Sequence, residues 1–431
     1  MPSKNVDVVI IGAGIVGCSI AFALSKRGLS TLNIDKLPAA GYGSTSHSSA
    51  IIRPIYSHVT SCAVAHEARC IWQEWRGFLG IENEEAHAVY TECGGLVLVR
   101  EGEENAHDAN LAAMKEVGIE YSYKSATELG ELFPGISLES YGPPRPIKDP
   151  DFGQPSGGRI SAGIYVPHAG YVNDPQLATR NLQSAAQANG AEFRFNSKIE
   201  KILRDDQGVS GVELNHGETV NASIVINAAG PHSGSVNDLA GIRQQLAIDT
   251  KPLRHEVVYL AAPPSLTTGS MVIFDVDAGV YQRPDGVDVV IGSTDPACDP
   301  LDIVDPDHYN QGFTDQWTLQ AHRSAQRFPD LGIANTARGT VGIYDLTPDW
   351  IPIYDKSNLP GFYMSIGTSG NQFKNAPLIG EVMAEIIELG MQGIDHDQAP
   401  ALLHLTHLDR SVSLDFYSRN RELQSTGSVM A

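Results

Sequence analysis

The chain has 431 residues, of which 42% are hydrophobic and 19% charged, and its formal net charge is −21 at neutral pH. This length and composition are typical of a globular protein of two or three domains. The negative charge argues against nucleic acid or an anionic membrane as a partner, since both require a basic surface.

The first predicted elements form a nucleotide-binding unit. Residues 6–11 are β-branched except for Asp7, a pattern typical of a parallel strand buried on both faces. A G-x-G-x-x-G motif, a helix to about Arg27 with Gly28 at its end, and a second strand over 30–34 follow. This order of elements predicts a Rossmann-like unit rather than an ordinary βαβ unit with coincidental glycines.

Each residue of this motif has a physical role. Gly12 permits the tight turn, and Gly14 lets the backbone approach a pyrophosphate at the helix N-terminus. Gly17 lets helix and strand pack closely, while Asp35 can accept a hydrogen bond from a ribose hydroxyl. An acid at position 35 disfavours a 2′-phosphate, so NAD or FAD is preferred over NADP.

The compartment is predicted to be the cytoplasm. The apolar N-terminus could mimic the core of a signal peptide, but no clean A-x-A-like site follows and its glycines sit where the turn needs them. No other apolar run reaches the ~18 residues of a membrane span. The cysteines show no C-x-x-C pair and no metal spacing, so we expect reduced thiols and no metal site; they are Cys18, Cys62, Cys70, Cys93 and Cys298.

Later segments repeat the pattern of strand, small residues and helix. The run "GSTSHSSAIIRP" (43–54) is a polar loop, and the Pro/Gly-rich stretch 141–159 is expected to be a surface loop, with a lid or an oligomer contact as the alternative. Residues 222–233 predict a buried strand that ends in Ala228, Ala229 and Gly230. Residues 361–390 predict a strand, a Gly-rich turn and a helix, which offers backbone N–H groups to an electron-rich ligand.

These segments, in this order, resemble the D-amino-acid oxidase/sarcosine oxidase family of FAD-dependent oxidoreductases. The resemblance covers essentially the whole chain, including "VVIIGAGIVG", "GSTSHSSAIIR", "VINAAGPHS", "GIYDLTPDWIPI" and "GTSGNQFKNAPLIGE". The last segment is similar to the family's G-x-S-G-H-G-F-K, with Asn371 and Gln372 in place of His-Gly. No second G-x-G-x-x-G is present, which weakens the reading as a disulfide reductase or an NADPH-dependent hydroxylase.

The resemblance implies an α/β fold with an α+β second domain. A discontinuous Rossmann-like FAD-binding domain (1–85, 160–235 and 335–390) would be interleaved with an antiparallel-sheet substrate domain (86–159 and 236–334), and 391–431 would be a C-terminal tail. One FAD per chain is expected. Motif and resemblance together place these residues at the cofactor: Gly12, Gly14, Ile15, Val16, Gly17, Asp35, Lys36, Ser44, Thr45, His47, Ile199, Ala229, Gly230, Gly342, Gly367, Gly370, Asn371, Gln372, Phe373 and Lys374.

The resemblance also implies the chemistry. The family passes a hydride equivalent from a C–H beside nitrogen to flavin N5, and the imine product then hydrolyses. Arg53 and Lys374 match the cationic pair that holds the substrate carboxylate, and Tyr259 and Tyr281 lie in segments that line the substrate side. Salt bridges and sheet packing are the structural alternatives for these residues. His255 is expected to be a strand residue.

Two departures from the family limit the inference. Gly342 stands where monomeric sarcosine oxidases have the cysteine linked to flavin, and Val290 stands where they have a lysine that promotes reaction with O2. Either O2 or a separate electron carrier could therefore be the acceptor. In dimethylglycine and sarcosine dehydrogenases a G-S-T-W-H segment carries a flavin-linked histidine, so a covalent link through His47 is one reading, but a free histidine is favoured.

The expected substrate is a small carboxylate-bearing secondary or tertiary amine, such as an N-methyl amino acid. A 2-hydroxy acid or glycerol phosphate is the alternative within the fold. The chain could also be a homo-oligomer, or the flavin subunit of a larger oxidase assembly.

Overall fold

The computed structural model of the protein describes residues 4–81, 86–268 and 270–424. The strands in these ranges are, in chain order, β1 (Lys4–Asn5), β2 (Val8–Ile11), β3 (Thr31–Ile34), β4 (Ile51–Ile52), β5 (Tyr90–Glu92), β6 (Gly95–Arg100), β7 (Ser122–Ser125), β8 (Ile160–Val166), β9 (Gly170–Val172), β10 (Glu192–Arg194), β11 (Ile199–Asp205), β12 (Gly208–Leu214), β13 (Thr219–Asn221), β14 (Ile224–Asn227), β15 (Lys251–Ala261), β16 (Val272–Asp275), β17 (Val280–Asp285), β18 (Asp288–Ser293), β19 (Gly339–Leu346), β20 (Ile353–Lys356), β21 (Phe362–Ile366), β22 (Leu402–Leu405) and β23 (Arg410–Ser413). The α-helices are α1 (Ile15–Lys26), α2 (Val59–Gln73), α3 (Trp75–Leu79), α4 (Asp108–Val117), α5 (Ala126–Leu132), α6 (Pro175–Ala188), α7 (Ser233–Leu239), α8 (Pro264–Thr268), α9 (Asp315–Arg327) and α10 (Ala376–Met391).

The predicted Rossmann-like unit is a six-stranded sheet in the order β10-β3-β2-β14-β21-β20. Its pairs are parallel except for β20 against β21. Alternate residues of β2 face opposite layers, because side chains alternate along a strand. Val8 and Ile10 pack in a cluster with α1, α6 and α10, while Val9 and Ile11 pack with the small sheet β1-β13-β12-β11. Burial on both faces explains why these strands are runs of Val and Ile.

The second large sheet has eight strands in the order β19-β15-β18-β17-β16-β6-β8-β7. It is antiparallel except for the parallel pair β16 and β6. Trp317 and Phe328, from α9 and its C-terminal end, pack on this sheet. The predicted combination of a Rossmann-like sheet with an antiparallel-sheet unit is therefore confirmed. β8 and β19, which fall inside the expected FAD-binding segments, lie in the eight-stranded sheet, so the boundaries at 160 and 335 do not coincide with the edges of the sheets.

The C-terminal region differs from the expected surface tail. Within the described residues, β22 and β23 form a hairpin whose Leu403, Leu405 and Val412 are buried in the same cluster as α10. The side chain of Arg419 is only 4% exposed and donates to Asp355, which is itself fully buried. The apolar residues at alternate positions of a short segment explain this burial. Residues 425–431 lie outside the described residues.

None of the helices that the structure describes is both long enough and apolar enough to cross a membrane.

Replacing Arg419 with Met should lower the free energy of unfolding by about 3 kcal/mol, because it leaves the buried carboxylate of Asp355 without its cation. Urea denaturation of the holoenzyme followed by tryptophan fluorescence measures the effect. The control is Arg338→Met, since Arg338 is exposed and its ion pair with Asp288 lies at the surface. Equal midpoints for the two variants would contradict the assigned role of the buried pair.

Candidate active site

A cavity of about 890 Å³ is lined by residues of both large sheets. Ile11, Ile34 and Ala228 line it at the carboxyl ends of parallel strands, where open α/β sheets bind their ligands. Phe274 and Tyr281 line it from the eight-stranded sheet. Its volume lies near the upper end of the ~300–1,000 Å³ of small-molecule and cofactor sites.

At the end of β2 the chain turns in a way that only glycine allows. Gly12 has φ +114°, and a Cβ added there would lie 3.0 Å from the carbonyl carbon of Ala228 and closer still to its oxygen. A Cβ on Gly17 would meet the carbonyl of Gly12 just as closely. Gly14 is the residue before α1, and the backbone N–H of Ile15 donates to the hydroxyl of Thr45 (3.2 Å). The G-x-G-x-x-G turn and the loop 43–54 therefore meet at the N-terminus of α1.

Asp35 braces this turn. One of its oxygens accepts the N–H of Ala13 (2.7 Å), and the other accepts the N–H of Leu37 (2.8 Å). Each carboxylate oxygen keeps a further lone pair for a ligand hydroxyl. Asp35 and the adjacent Lys36 both line the cavity.

The polar loop 43–54 lies after the nucleotide-binding turn and Asp35 in the chain. Ser44–His47 is a single 3₁₀ turn, and the Ser44 hydroxyl donates to the carbonyl of Ile343 (2.6 Å) in β19. His47 hydrogen-bonds the hydroxyl of Thr340 through Nδ1, and burial lowers the pKa of the His47 imidazole. His47 packs against Gly342, where an added Cβ would lie 2.8 Å from the Cβ of His47. Gly342 therefore makes room for the imidazole.

Arg53 and Lys374 converge on one aromatic ring. The guanidinium carbon of Arg53 lies 4.4 Å from the ring centroid of Tyr56, and Nζ of Lys374 lies 4.5 Å from the same centroid. Both side chains are buried, at 4% and 2% exposure. Arg53 donates to the carbonyl of Ile55, and Lys374 donates to the carbonyl of Asn371.

The electrostatics of this pair favour an anion. Burial, and then the positive charge of Arg53, hold the pKa of Lys374 well below its ordinary value. Two cations brought together in a low-dielectric cavity repel each other, and an anion between them relieves that repulsion. The carboxylate of a ligand is a group that Arg can bind with two parallel hydrogen bonds.

Several hydroxyl groups line the same cavity. The hydroxyl of Tyr281 hydrogen-bonds that of Ser49 (2.9 Å), and burial raises the pKa of Tyr281. Tyr344 lines the cavity and stacks on His255, with ring centroids 4.4 Å apart. His255 is a buried residue of β15, as expected, and its Nε2 lies 3.0 Å from Asp295.

Most of the predicted site residues line this one cavity. They are Gly12, Gly14, Ile15, Val16, Asp35, Lys36, Ser44, Thr45, His47, Arg53, Ile199, Ala229, Gly230, Tyr281, Gly370, Asn371, Gln372, Phe373 and Lys374. Four others, Gly17, Tyr259, Gly342 and Gly367, do not line it. Gly17, Gly342 and Gly367 lie just behind the lining, where each allows a close approach of neighbouring atoms. Tyr259 is a half-buried residue of β15.

Sequence reasoning missed several lining residues. Tyr56 follows Arg53 by three residues, and an aromatic residue so close to a predicted anchor is a signal that could have found it. Thr340 and Asp307 reach the cavity only because distant segments meet there. Asp345, which lies next to Tyr344 on β19, is fully buried; burial raises its pKa although it accepts the N–H of Gly367 (2.7 Å).

A family model described as FAD-dependent oxidoreductase matches residues 7–386. The chain belongs to this family. The predicted family, the predicted cofactor FAD and the prediction that the protein is an FAD-dependent oxidoreductase are thereby confirmed.

Curated relatives of this flavoenzyme are similar along most of its length. The FAD-dependent oxidoreductase domain-containing protein 1 of Xenopus laevis is 25% identical, over 90% of this chain and 80% of its own. The sarcosine oxidase subunit beta of Rhodobacter capsulatus is 23% identical (90% and 86%), and the monomeric sarcosine oxidase of Bacillus sp. is 24% identical (92% and 95%).

Solved structures share the fold. The L-proline dehydrogenase from P. horikoshii matches with a TM-score of 0.75 at 23% identity, over 98% of both chains. The L-α-glycerophosphate oxidase from Mycoplasma pneumoniae, described with FAD bound, matches with a TM-score of 0.72 at 18% identity, over 89% of this chain and 95% of its own.

The residues of the flavoenzyme fit FAD. The glycine cradle at Gly12, the open approach at Gly14 and the N-terminus of α1 suit a pyrophosphate, and Asp35 suits a ribose. The loop that leads into α10 adds Gly370 to Lys374 to the lining of the same cavity. Within residues 4–81, 86–268 and 270–424, no group of three or more His, Cys, Asp or Glu side chains is arranged to hold a metal ion.

Proposed function

We propose that this flavoenzyme oxidises the C–N bond of a small carboxylate-bearing secondary or tertiary amine, of the N-methyl amino acid type. The observation that carries the proposal is the pair Arg53 and Lys374, both buried in the cavity and both within 4.5 Å of the centroid of the Tyr56 ring. The similarity to sarcosine oxidases supports an amino acid as the substrate.

The lining residues around the proposed substrate each have a role. Arg53 and Lys374 hold the carboxylate, which fixes the substrate and excludes uncharged amines. Ser49 and Tyr281 offer hydroxyl groups that can accept or donate hydrogen bonds at the amine. The bound FAD supplies the two-electron chemistry. No general base is required if the amine binds unprotonated, and the imine product is hydrolysed by water.

The first test is anaerobic reduction of the enzyme-bound flavin. Sarcosine, proline, glycine and 2-hydroxyglutarate are mixed with the holoenzyme, and bleaching of the flavin absorbance is followed. Bleaching by sarcosine or proline, which are secondary amines, supports the proposal, whereas bleaching by glycine alone would indicate a primary amine as the substrate. Bleaching only by the hydroxy acid would favour the alternative of a 2-hydroxy acid or glycerol phosphate substrate. The absence of bleaching by any amine would contradict the proposal.

We propose that the reduced flavin passes its electrons to a separate electron carrier rather than directly to O2. Val290, the residue aligned with the oxygen-promoting lysine, is a buried apolar residue of β18. The similarity to a sarcosine oxidase subunit beta agrees with a flavin subunit that works within a larger assembly. Rapid O2 uptake by the isolated chain, shown by size exclusion to be free of partners, would contradict this.

We expect carboxylate binding to weaken as the pH rises. The pKa of Lys374 is lowered in the unliganded enzyme, and a bound carboxylate raises it again by stabilising the ammonium form. Between these two pKa values binding takes up a proton, so the apparent Kd increases as the pH increases. Flavin absorbance titrations with a non-reacting carboxylate at several pH values measure this. Lys374→Met should bind more weakly and lose that dependence; an unchanged pH profile would contradict the assignment.

FAD is proposed to be bound without a covalent link. Nδ1 of His47 hydrogen-bonds the hydroxyl of Thr340, so Nε2 is the ring nitrogen that a link would have to use, and Gly342 carries no side chain that could form a bond. Acid precipitation should therefore release the yellow colour into the supernatant. Colour that stays in the pellet of the wild type, but not in that of His47→Ala, would show a link through the histidine.

A further inference from the structure

Residues 302–314 form a strap between the eight-stranded sheet and the nucleotide end of the cavity. The strap contains none of the helices and strands given above. It is part of the connection between β18 and α9, within the segment 236–334 that is expected to belong to the substrate domain. Five of its residues line the cavity, namely Pro306, Asp307, Tyr309, Gln311 and Phe313.

Both ends of the strap are fixed to β15. The N–H of Arg254 donates to the carbonyl of Asp302 (2.9 Å), and the N–H of Val304 donates to that of Pro252 (3.0 Å). The guanidinium of Arg254 donates to the carbonyls of Asn310 (2.7 Å) and Gly312 (2.6 Å). Arg254 is 2% exposed, so these bonds are shielded from water. The ends of the strap are held by the sheet, which leaves the tip at 305–309 to reach across the cavity.

The tip contacts the Rossmann-like unit through Asp307. Its carboxylate forms an ion pair with Lys36 and lies 3.1 Å from Nε2 of His232. Nζ of Lys36 also lies 2.8 Å from Nε2 of His232. The hydrogen bond from Lys36, with a smaller effect of His232, lowers the pKa of Asp307 to about 2 although burial opposes it, so the carboxylate is ionised at neutral pH.

The positions of these partners identify which end of the cavity the tip covers. Lys36 directly follows Asp35, the acid that suits the ribose, and His232 follows the small residues at the end of β14. The side chains of Lys36, His232 and Asp307 are 35%, 26% and 48% exposed, so this latch lies at the rim of the cavity. Arg53 and Lys374, by contrast, are deeply buried, at 4% and 2% exposure.

We propose that the strap tip is a further part of the cofactor site: it covers the adenosine half of FAD, and the latch from Asp307 to Lys36 and His232 controls how fast FAD leaves. Pro306 and Tyr309 supply flat apolar surface on the cavity side of the tip. The latch ties a segment anchored in one sheet to the nucleotide-binding turns of the other. FAD departure therefore requires the latch to open.

The test measures FAD release from the holoenzyme. The holoenzyme is diluted into buffer that contains charcoal, which traps FAD once it is released. The fraction of flavin still bound is then followed by the absorbance of the recovered protein. Asp307→Asn should release FAD roughly five-fold faster, as expected for a partly exposed ion-pair network, and His232→Gln should change the rate in the same direction. Added salt should speed release from the wild type more than from Asp307→Asn, because salt screens exposed ion pairs.

The matched control is Asp288→Asn, which removes the carboxylate of another partly exposed ion pair, with Arg338 (2.8 Å), on a residue that does not line the cavity. Its rate of FAD release should equal that of the wild type. Unchanged release from both Asp307→Asn and His232→Gln, or equal acceleration by the control, would overturn the proposal. The experiment uses no amine, so its outcome is independent of whether the proposed substrate is right.

Discussion

Replacing Arg53 with methionine should lower kcat/KM for the amino acid substrate by about 100-fold or more. The substitution removes a buried guanidinium that offers two parallel hydrogen bonds to a carboxylate, and loss of one partner from a desolvated charge pair costs about 2–5 kcal/mol. Methionine keeps an unbranched apolar stem over the Tyr56 ring, so the packing at that ring changes little. The loss should fall mainly on substrate binding.

Anaerobic stopped-flow reduction separates the effect on substrate binding from the effect on the rate of flavin reduction. The Kd from the substrate dependence should rise strongly, while the limiting rate of flavin reduction falls less. Arg53→Lys should lie between the wild type and Arg53→Met, because lysine keeps the charge but not the planar fork. Arg338→Met, the loss of a cation at the surface, should leave both quantities unchanged. A wild-type Kd for Arg53→Met would show that another group holds the carboxylate.

The nucleotide-binding unit could be predicted from sequence because its signals are local. The signals are a β-branched strand, the spacing of Gly12, Gly14 and Gly17, and Asp35 after the next strand. They lie within about thirty residues, so a short stretch of sequence is enough to recognise them. The structure has the strands at Val8–Ile11 and Thr31–Ile34 and the helix at Ile15–Lys26, close to the predicted bounds.

The rest of the site depends on contacts between distant segments. Asp307 meets Lys36 across 271 positions of sequence, and His47 meets Thr340 across 293, and no local pattern encodes such pairs. Tyr259 was placed on the substrate side by resemblance, but the facing of a strand residue depends on register, and this one does not line the cavity. The C-terminal hairpin was missed because its alternation spans only four residues per strand.

Replacing Gly12 with alanine should abolish retention of FAD and strongly destabilise the protein. The residue has φ +114°, which L side chains rarely adopt, and the added Cβ would meet the backbone of Ala228 at 3.0 Å or less. That backbone cannot move away easily, since it follows β14, which is paired on one side with β2 and on the other with β21. The strain and the clash therefore act together.

Two further glycines separate the effect on folding from the effect on the cofactor. Gly77→Ala is the matched control, because no atom lies within 4 Å of its added Cβ and its φ is ordinary for a helix; the yield of FAD-loaded protein should equal that of the wild type. At Gly14 the added Cβ would meet only the Thr45 hydroxyl at 3.3 Å, a side chain that can shift. Gly14→Ala should fold but bind FAD more weakly, since its methyl group stands where the pyrophosphate approaches the backbone. Flavin content and thermal midpoint of the purified proteins report both properties, and a Gly14→Ala variant with full FAD affinity would place the pyrophosphate elsewhere.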